Sequence, residues 1–97
     1  MKITKTLNGD SMEVILEGRL DTESAPVFES ELKDQLSTLS LLTLDFSNLE
    51  YISSAGLRVL VKAKRGMKYG GVVKVKNANE IIREVFEVTG LTDIDLE

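Results

Sequence analysis

The sequence contains no cysteine and no histidine. The first absence excludes disulfides, a thiol nucleophile and any thiolate metal site. The second excludes every Ser-His or Cys-His catalytic pair and every zinc site built on imidazole. An enzyme made from this chain would have to work with carboxylates, Lys, Tyr, Ser or Thr alone. Long apolar runs are missing too. Stretches such as Leu41-Leu42 fall far short of the roughly 20 residues that span a bilayer. The opening Met1-Lys2-Ile3-Thr4-Lys5 alternates polar and apolar side chains, unlike a signal peptide. The expectation is a cytoplasmic protein without membrane contact. Neither G-x-x-x-x-G-K-[ST] nor G-x-G-x-x-G occurs, so no phosphate-cradling loop is visible.

What is there fits one ordinary core. The 97 residues are one domain's worth of chain, expected to span 1–97. A chain this size buries roughly 65% of the surface that its unfolded form exposes. The apolar fraction of 42% and the charged fraction of 29% are those of a globular domain, so whole-chain disorder is excluded.

The net charge of −4 hides a pattern. Residues 1–57 carry four basic and ten acidic side chains, residues 58–83 eight basic and one acidic, and residues 84–97 five acidic and none basic. Overall acidity argues against nucleic-acid binding, which favours net-basic surfaces. The basic middle segment allows docking to an acidic partner.

Ile3 to Leu7 reads as a strand, Asn8-Gly9-Asp10 as a turn, and Met12, Val14 and Leu16 as the apolar face of a returning strand that Gly18 ends. Asp21-Thr22 offers a helix start, with Pro26 near the first turn. Ala25, Phe28, Leu32, Leu36 and Leu39 follow helical spacing, which predicts a helix over 23–38. Leu41 to Phe46 is apolar without clean alternation, as in a strand buried on both faces, and 47–51 reads as a loop. Ser53-Ser54 opens a second helix, which Gly70-Gly71 stops. Val72 to Val75 is a strand, Asn77 and Asn79 are cap-type residues, and a third amphipathic helix closes at Gly90. Ile94-Asp95-Leu96 adds a short edge strand. The fold class is α/β in the order β-β-α-β-α-β-α-(β). A mostly parallel central sheet carries an N-terminal hairpin, with helices packed on it.

In open α/β sheets, functional groups gather at the carboxyl ends of strands. Three segments qualify: Gly18 to Asp21, Asp45 to Ser47, and Ile52 to Leu57. In the last, two hydroxyls sit at a helix N-terminus beside Gly56. Ser53 or Ser54 is explained by capping alone, because a serine oxygen there accepts an orphan N–H. The same position also suits a phosphoserine, which would add about −1.5 to −2 charges to an exposed surface. Asp21 reads equally as a cap of the first helix, and Asp45 as a partner of the Ser53-Ser54 turn. A carboxylate pair of Asp21 and Asp45 for metal or acid–base work has no further support. The stripe Arg58, Lys62, Arg65, Lys68 is a solvated helix face or a docking face for an acidic partner.

The run Asp45-Phe46-Ser47-Asn48-Leu49-Glu50-Tyr51-Ile52-Ser53-Ser54-Ala55-Gly56-Leu57-Arg58-Val59-Leu60 resembles the signature of the STAS domain. This is the sulfate transporter and anti-sigma factor antagonist family. Glu17-Gly18-Arg19-Leu20-Asp21 resembles the family's upstream turn. The resemblance covers essentially the whole chain. It implies a regulatory binding protein, not an enzyme, without cofactor or metal. In bacterial antagonists of this type the unmodified protein binds an anti-sigma factor that is also a serine kinase, which frees a sigma factor. Phosphorylation of one serine breaks the complex, and a serine phosphatase restores it. By the resemblance, that serine is Ser54. Asp21, Asp45, Ser47, Ser53, Gly56, Leu57 and Arg58 are then partner-binding residues, with Gly56 allowing close approach and Leu57 and Arg58 giving contact area. One position departs: switching relatives often carry Asp directly before the acceptor, where this chain has Ser53. That makes Ser53 an alternative acceptor. It also leaves room for a STAS scaffold, or a regulatory subunit of a sensory or transport complex, that works without Ser54 chemistry.

Overall fold

The computed structural model describes residues 1–97. Strand β1 (Lys2–Asn8) and strand β2 (Ser11–Leu20) form an antiparallel hairpin that turns at Gly9-Asp10. Helix α1 (Ala25–Leu32) leads through a 3-10 turn (Leu36–Thr38) to strand β3 (Leu41–Ile52). Helix α2 (Ser54–Gly66), strand β4 (Val72–Lys76), helix α3 (Glu80–Thr89) and the two-residue strand β5 (Asp95–Leu96) complete the chain. The sheet order is β1-β2-β3-β4-β5, with every pair after the hairpin parallel.

That order decides where the helices lie. Each crossover from β2 onward adds its strand on the same side of the last. Right-handed crossovers then put all three helices on one face of the sheet. Burial agrees. Met12, Val14 and Leu16, Leu42, Leu44 and Phe46, and Val73 and Val75 are buried in register beneath the helices. They join Phe28, Leu57, Leu60, Ile82 and Phe86 in a single cluster of 24 side chains. The opposite face carries Glu13, Thr43, Asp45, Lys74 and Lys76, all only half-buried. Ion pairs Lys76–Glu13 at 2.9 Å and Lys74–Glu97 at 3.2 Å lace it. β3 is therefore not covered on both faces, as its apolar run suggests, but alternates one buried and one half-buried side chain as far as Phe46.

β3 is also longer than the sequence predicts. The expected loop 47–51 continues the strand beside β2 to Ile52. Two register shifts, opposite Ile15–Glu17 and Gly18–Arg19, each leave an extra residue on β3. Its buried residues there are consequently Phe46, Leu49 and Ile52, three apart instead of two. Gly18 does not end β2. It takes φ +105 beside the second shift, a conformation that side-chain-bearing residues rarely adopt, and the strand runs on to Leu20. The first helix is shorter than 23–38. Ser37 and Thr38 are weak helix formers, and the Thr38 hydroxyl donates back to the Gln35 carbonyl at 2.8 Å. The 3-10 turn still points Leu36 and Leu39 at the core. α2 stops at Gly66, four residues before Gly70.

Candidate functional site

β2 and β3 end side by side, Leu20 opposite Ile52. The Ser53 N–H donates to the Leu20 carbonyl at 2.9 Å, which extends the strand pairing by one bond and fixes where α2 begins. Ser53 is the N-cap of α2. Its backbone is extended, and its hydroxyl accepts from the Gly56 N–H at 3.3 Å. Ser54 is the first helical residue and is exposed, and its hydroxyl takes part in no hydrogen bond of the protein. The N–H groups of Ser54 and Ala55 have no acceptor within the helix. Two adjacent serines thus have different fates: one is committed to the cap and the other is free.

Gly56 and Leu57 are not where the sequence reading puts them. Gly56 is buried, and a Cβ on it would lie 2.8 Å from Leu20 Cγ, 2.9 Å from Ile52 Cγ1 and 3.0 Å from the Leu20 carbonyl oxygen. Its lack of a side chain lets α2 sit on the ends of β2 and β3. Leu57 is only 6% exposed and belongs to the core. Its helical position one turn past the cap turns it toward the sheet, so it supplies no contact area. Arg58 is exposed. With Thr22, Ala25, Pro26, Glu29, Ala55, Val59 and Lys62 it lines a depression of about 140 Å³ between α1 and α2. None of the seven ion pairs uses Arg58, whereas Lys62 pairs with Glu29 at 3.6 Å.

Asp21 stands on the same rim, directly after Leu20. It does not cap α1 in the expected way, since Ser24 holds the N-cap position. Its carboxylate accepts from the Ser24 and Glu23 N–H groups, both at 3.1 Å, and so closes the turn from β2 into α1. The Ser24 N–H, with the Ser24 hydroxyl and Arg19, holds the Asp21 carboxyl below its ordinary pKa against a smaller opposing effect of burial.

Asp45 and Ser47 lie elsewhere. Asp45 pairs with Ile15 and Lys76, so it is level with the end of β4. Asp45 is level with Ile15, six residues before Asp21, which puts the two about 20 Å apart by the rise of β2. The two carboxylates form no pair. The Asp45 carboxylate does not reach the Ser53-Ser54 turn; it accepts from the Ser47 N–H at 3.0 Å and the Asn77 side-chain amide at 3.1 Å. Partial burial pushes its pKa up, but those two bonds and Lys76 outweigh burial and leave it lowered. Ser47 is exposed one residue pair further along.

Sequence reasoning missed the pairing of Arg19 with Tyr51. The Arg19 guanidinium lies 4.6 Å from the centroid of the Tyr51 ring and 4.0 Å from the Asp21 carboxylate. The register Arg19↔Tyr51 places both on adjacent strand ends. The loop reading of 47–51 concealed it.

Comparison with known proteins adds a family. The model described as "Mlab, STAS domain" matches residues 3–96. The anti-sigma-B factor antagonist of Bacillus subtilis is 33% identical over 88 residues, 90% of this chain and 81% of that one. An anti-sigma factor antagonist of Mycobacterium paratuberculosis superposes with a TM-score of 0.86 at 21% identity, over 98% of this chain and 83% of that one. The antagonist SpoIIAA in its unphosphorylated form superposes with a TM-score of 0.79 at 14% identity, covering 99% and 87%. The phosphorylated form of the Bacillus cell fate determinant SpoIIAA gives 0.77 at 16%, covering 99% and 91%. These relatives are regulatory antagonists, not enzymes, and no helix here is long and apolar enough to cross a membrane. The chain belongs to the STAS domain family, with anti-sigma factor antagonists among its relatives.

Proposed function

We propose that this chain is a single cytoplasmic STAS domain acting as an anti-sigma factor antagonist whose partner binding is switched at Ser54. In the unmodified state the rim of Asp21, Ser53, Ser54 and Arg58 docks on an anti-sigma factor that is also a serine kinase, and a sigma factor is released. Asp45 and Ser47 contribute from further along β3 if the partner is broad enough to reach them. In the kinase reaction Ser54 Oγ attacks the γ-phosphorus of ATP. The new P–O bond forms as the bond to ADP breaks, and the hydroxyl proton passes to a kinase base. The added dianion, on the rim that also carries Asp21, repels the partner. Hydrolysis by a serine phosphatase returns the hydroxyl and inorganic phosphate.

The observation that carries this reading is the split between the two serines. Ser54 is exposed and uncommitted, while the Ser53 hydroxyl is held by the cap. A nucleophile must present a free oxygen, so Ser54 is favoured over Ser53 as acceptor. The existence of SpoIIAA in both phosphorylated and unphosphorylated forms supports the reading by analogy.

Phosphosite mapping tests it. The purified protein is incubated with ATP and a lysate of its native host, beside Ser54→Ala and Ser53→Ala variants, then analysed by intact mass and peptide mapping. One phosphate on Ser54, lost in Ser54→Ala and kept in Ser53→Ala, is expected. A phosphate only on Ser53 moves the site. No phosphate, where a control substrate is modified, favours the scaffold reading, which the Ser53-for-Asp departure supports. In that case a Ser54→Asp variant retains partner binding, whereas in the switch it loses it.

A further inference from the structure

α3 carries a surface that the Ser54 rim does not use. Ile81, Val85 and Val88 follow one another at i, i+4 and i+7, which aligns them on one face of the helix. Ile81 and Val88 are turned outward, 57% and 86% exposed, while half-buried Val85 packs against the edge of the core and roots the stripe there. The core side of α3 is made instead by Ile82 and Phe86. With Glu84 and Thr89 the three apolar residues line a shallow depression. Of the other strongly exposed apolar residues, Leu7 and Tyr69 stand singly and Val27 shares a depression with one further apolar residue, Met1. On α3, Ile81, Val85 and Val88 make a stripe.

Helical spacing sets Glu80, Glu84 and Glu87 in a row along the outer border of the stripe. None of the three takes part in any of the seven ion pairs. The one cation of the helix, Arg83, is turned aside; its guanidinium donates to the carbonyls of Ala78 and Glu97. The result is an apolar stripe edged on one side by three unpaired carboxylates, in a stretch where residues 84–97 hold no basic residue.

We infer that this face docks a cationic amphipathic helix of a partner protein, whose apolar residues cover Ile81, Val85 and Val88 and whose Lys or Arg residues meet Glu80, Glu84 and Glu87. The carboxylate row decides among occupants. An anionic lipid surface is repelled by it. A second α3 would set like charges against each other. The chain's own basic helix α2 offers Arg58, Lys62, Arg65 and Lys68, but Leu57, Leu60 and Ala63 are buried in its own core and offer no apolar counterpart. A separate protein supplies both features.

The test uses the intact protein and a designed, fluorescein-labelled helical peptide of about 18 residues, five turns. Its leucines are spaced i, i+4, i+7 with lysines beside them. A scrambled peptide of the same composition keeps the charge and loses the stripe. Binding is read by anisotropy and mapped by NMR shifts on nitrogen-labelled protein. The amphipathic peptide is expected to shift residues 80–89, and the scrambled one to bind at least about tenfold more weakly. Double substitution Glu84→Lys, Glu87→Lys and single substitution Val88→Ser are each expected to weaken binding by about tenfold. All three changed residues are exposed, so far-ultraviolet circular dichroism should stay unchanged. The inference is overturned by equal binding of the scrambled peptide, by shifts centred on the Ser54 rim, or by no binding. It is also overturned if the protein alone dimerises and Val88→Ser dissolves the dimer. A Ser54→Ala variant should bind the peptide as the parent does.

Discussion

At the end of the sheet where β3 and β4 begin, the side chains of Asp10, Ser40, Lys64 and Lys68 are tied into the fold. The Asp10 carboxylate accepts from the Ser40 hydroxyl at 2.7 Å and pairs with Lys68 at 3.8 Å. The Asp10 carbonyl accepts the Ser40 N–H, the Ser40 carbonyl accepts the Val72 N–H, and the Lys64 ammonium donates to the Gly71 carbonyl. At the opposite end, where β2 and β3 run out, the same residue types are only partly engaged. Asp21 and Ser53 shape turns, but Ser54 and Arg58 have no partner within the chain. Polar groups that close a fold satisfy one another, and those that serve recognition are left unsatisfied at a rigid position. α2 links the two ends, so the free hydroxyl is displayed on an element whose far end is anchored.

The largest effect should come from disturbing that display. Gly56→Ala puts a methyl within 3.0 Å of Leu20 and Ile52, and one of its contacts is backbone that cannot rotate away. The expected loss is about 2 kcal/mol of stability, typical of overpacking, read as a lower urea midpoint at an unchanged slope. Equal stability would mean that α2 slides freely on the strand ends, and the contrast between a rigid rim and a rigid base would fail.

The two serines give the sharpest internal comparison and a smaller effect. Ser53→Ala removes the cap acceptor of the Gly56 N–H and is expected to cost about 1 kcal/mol. Ser54→Ala removes a hydroxyl that bonds to nothing and should stay within about 0.5 kcal/mol of the parent. Thermal melts of the two variants side by side decide it. Equal losses would show that Ser54 also serves structure.

Much of this was legible before the structure. Hairpin, element order and the Ser53-Ser54 helix start all follow from local signals: Asn8-Gly9-Asp10, period-two and helical spacing, and serine before an amphipathic run. Three kinds of information were not. Residues 47–51 look like a loop because bulges on β3 space its buried residues Phe46, Leu49 and Ile52 three apart, and bulges depend on the partner strand. Gly56 and Leu57 read as contact residues because a motif marks them without saying which way they face; only packing against Leu20 shows that they hold the site up from below. Asp45 seemed to share the rim with Asp21 because both end short apolar runs. β3 continues seven residues past Asp45 to Ile52, which separates them. The one-sided sheet was implicit in the element order but required knowing that strands add successively in space.

The smallest predicted effect asks whether Asp21 belongs with the tied end or the free one. Its carboxyl and that of Asp10 are both held below the ordinary value of 3.8, Asp21 mainly by the Ser24 N–H and Asp10 mainly by the Ser40 hydroxyl. A carboxyl with a lower pKa folded than unfolded binds more protons when unfolded. Each therefore contributes stability that is present above pH 3.8 and is lost as pH falls through the folded-state value. Urea midpoints measured from neutral pH down through 3.8 should decline, and both Asp10→Asn and Asp21→Asn should flatten that decline while lowering the neutral plateau slightly. If only Asp10→Asn does so, the bonds of Asp21 to Ser24 and Glu23 contribute nothing, and its carboxylate is as free for a partner as Ser54. If both do, Asp21 builds the turn that carries the rim, and recognition rests on fewer groups: the Ser54 hydroxyl and Arg58.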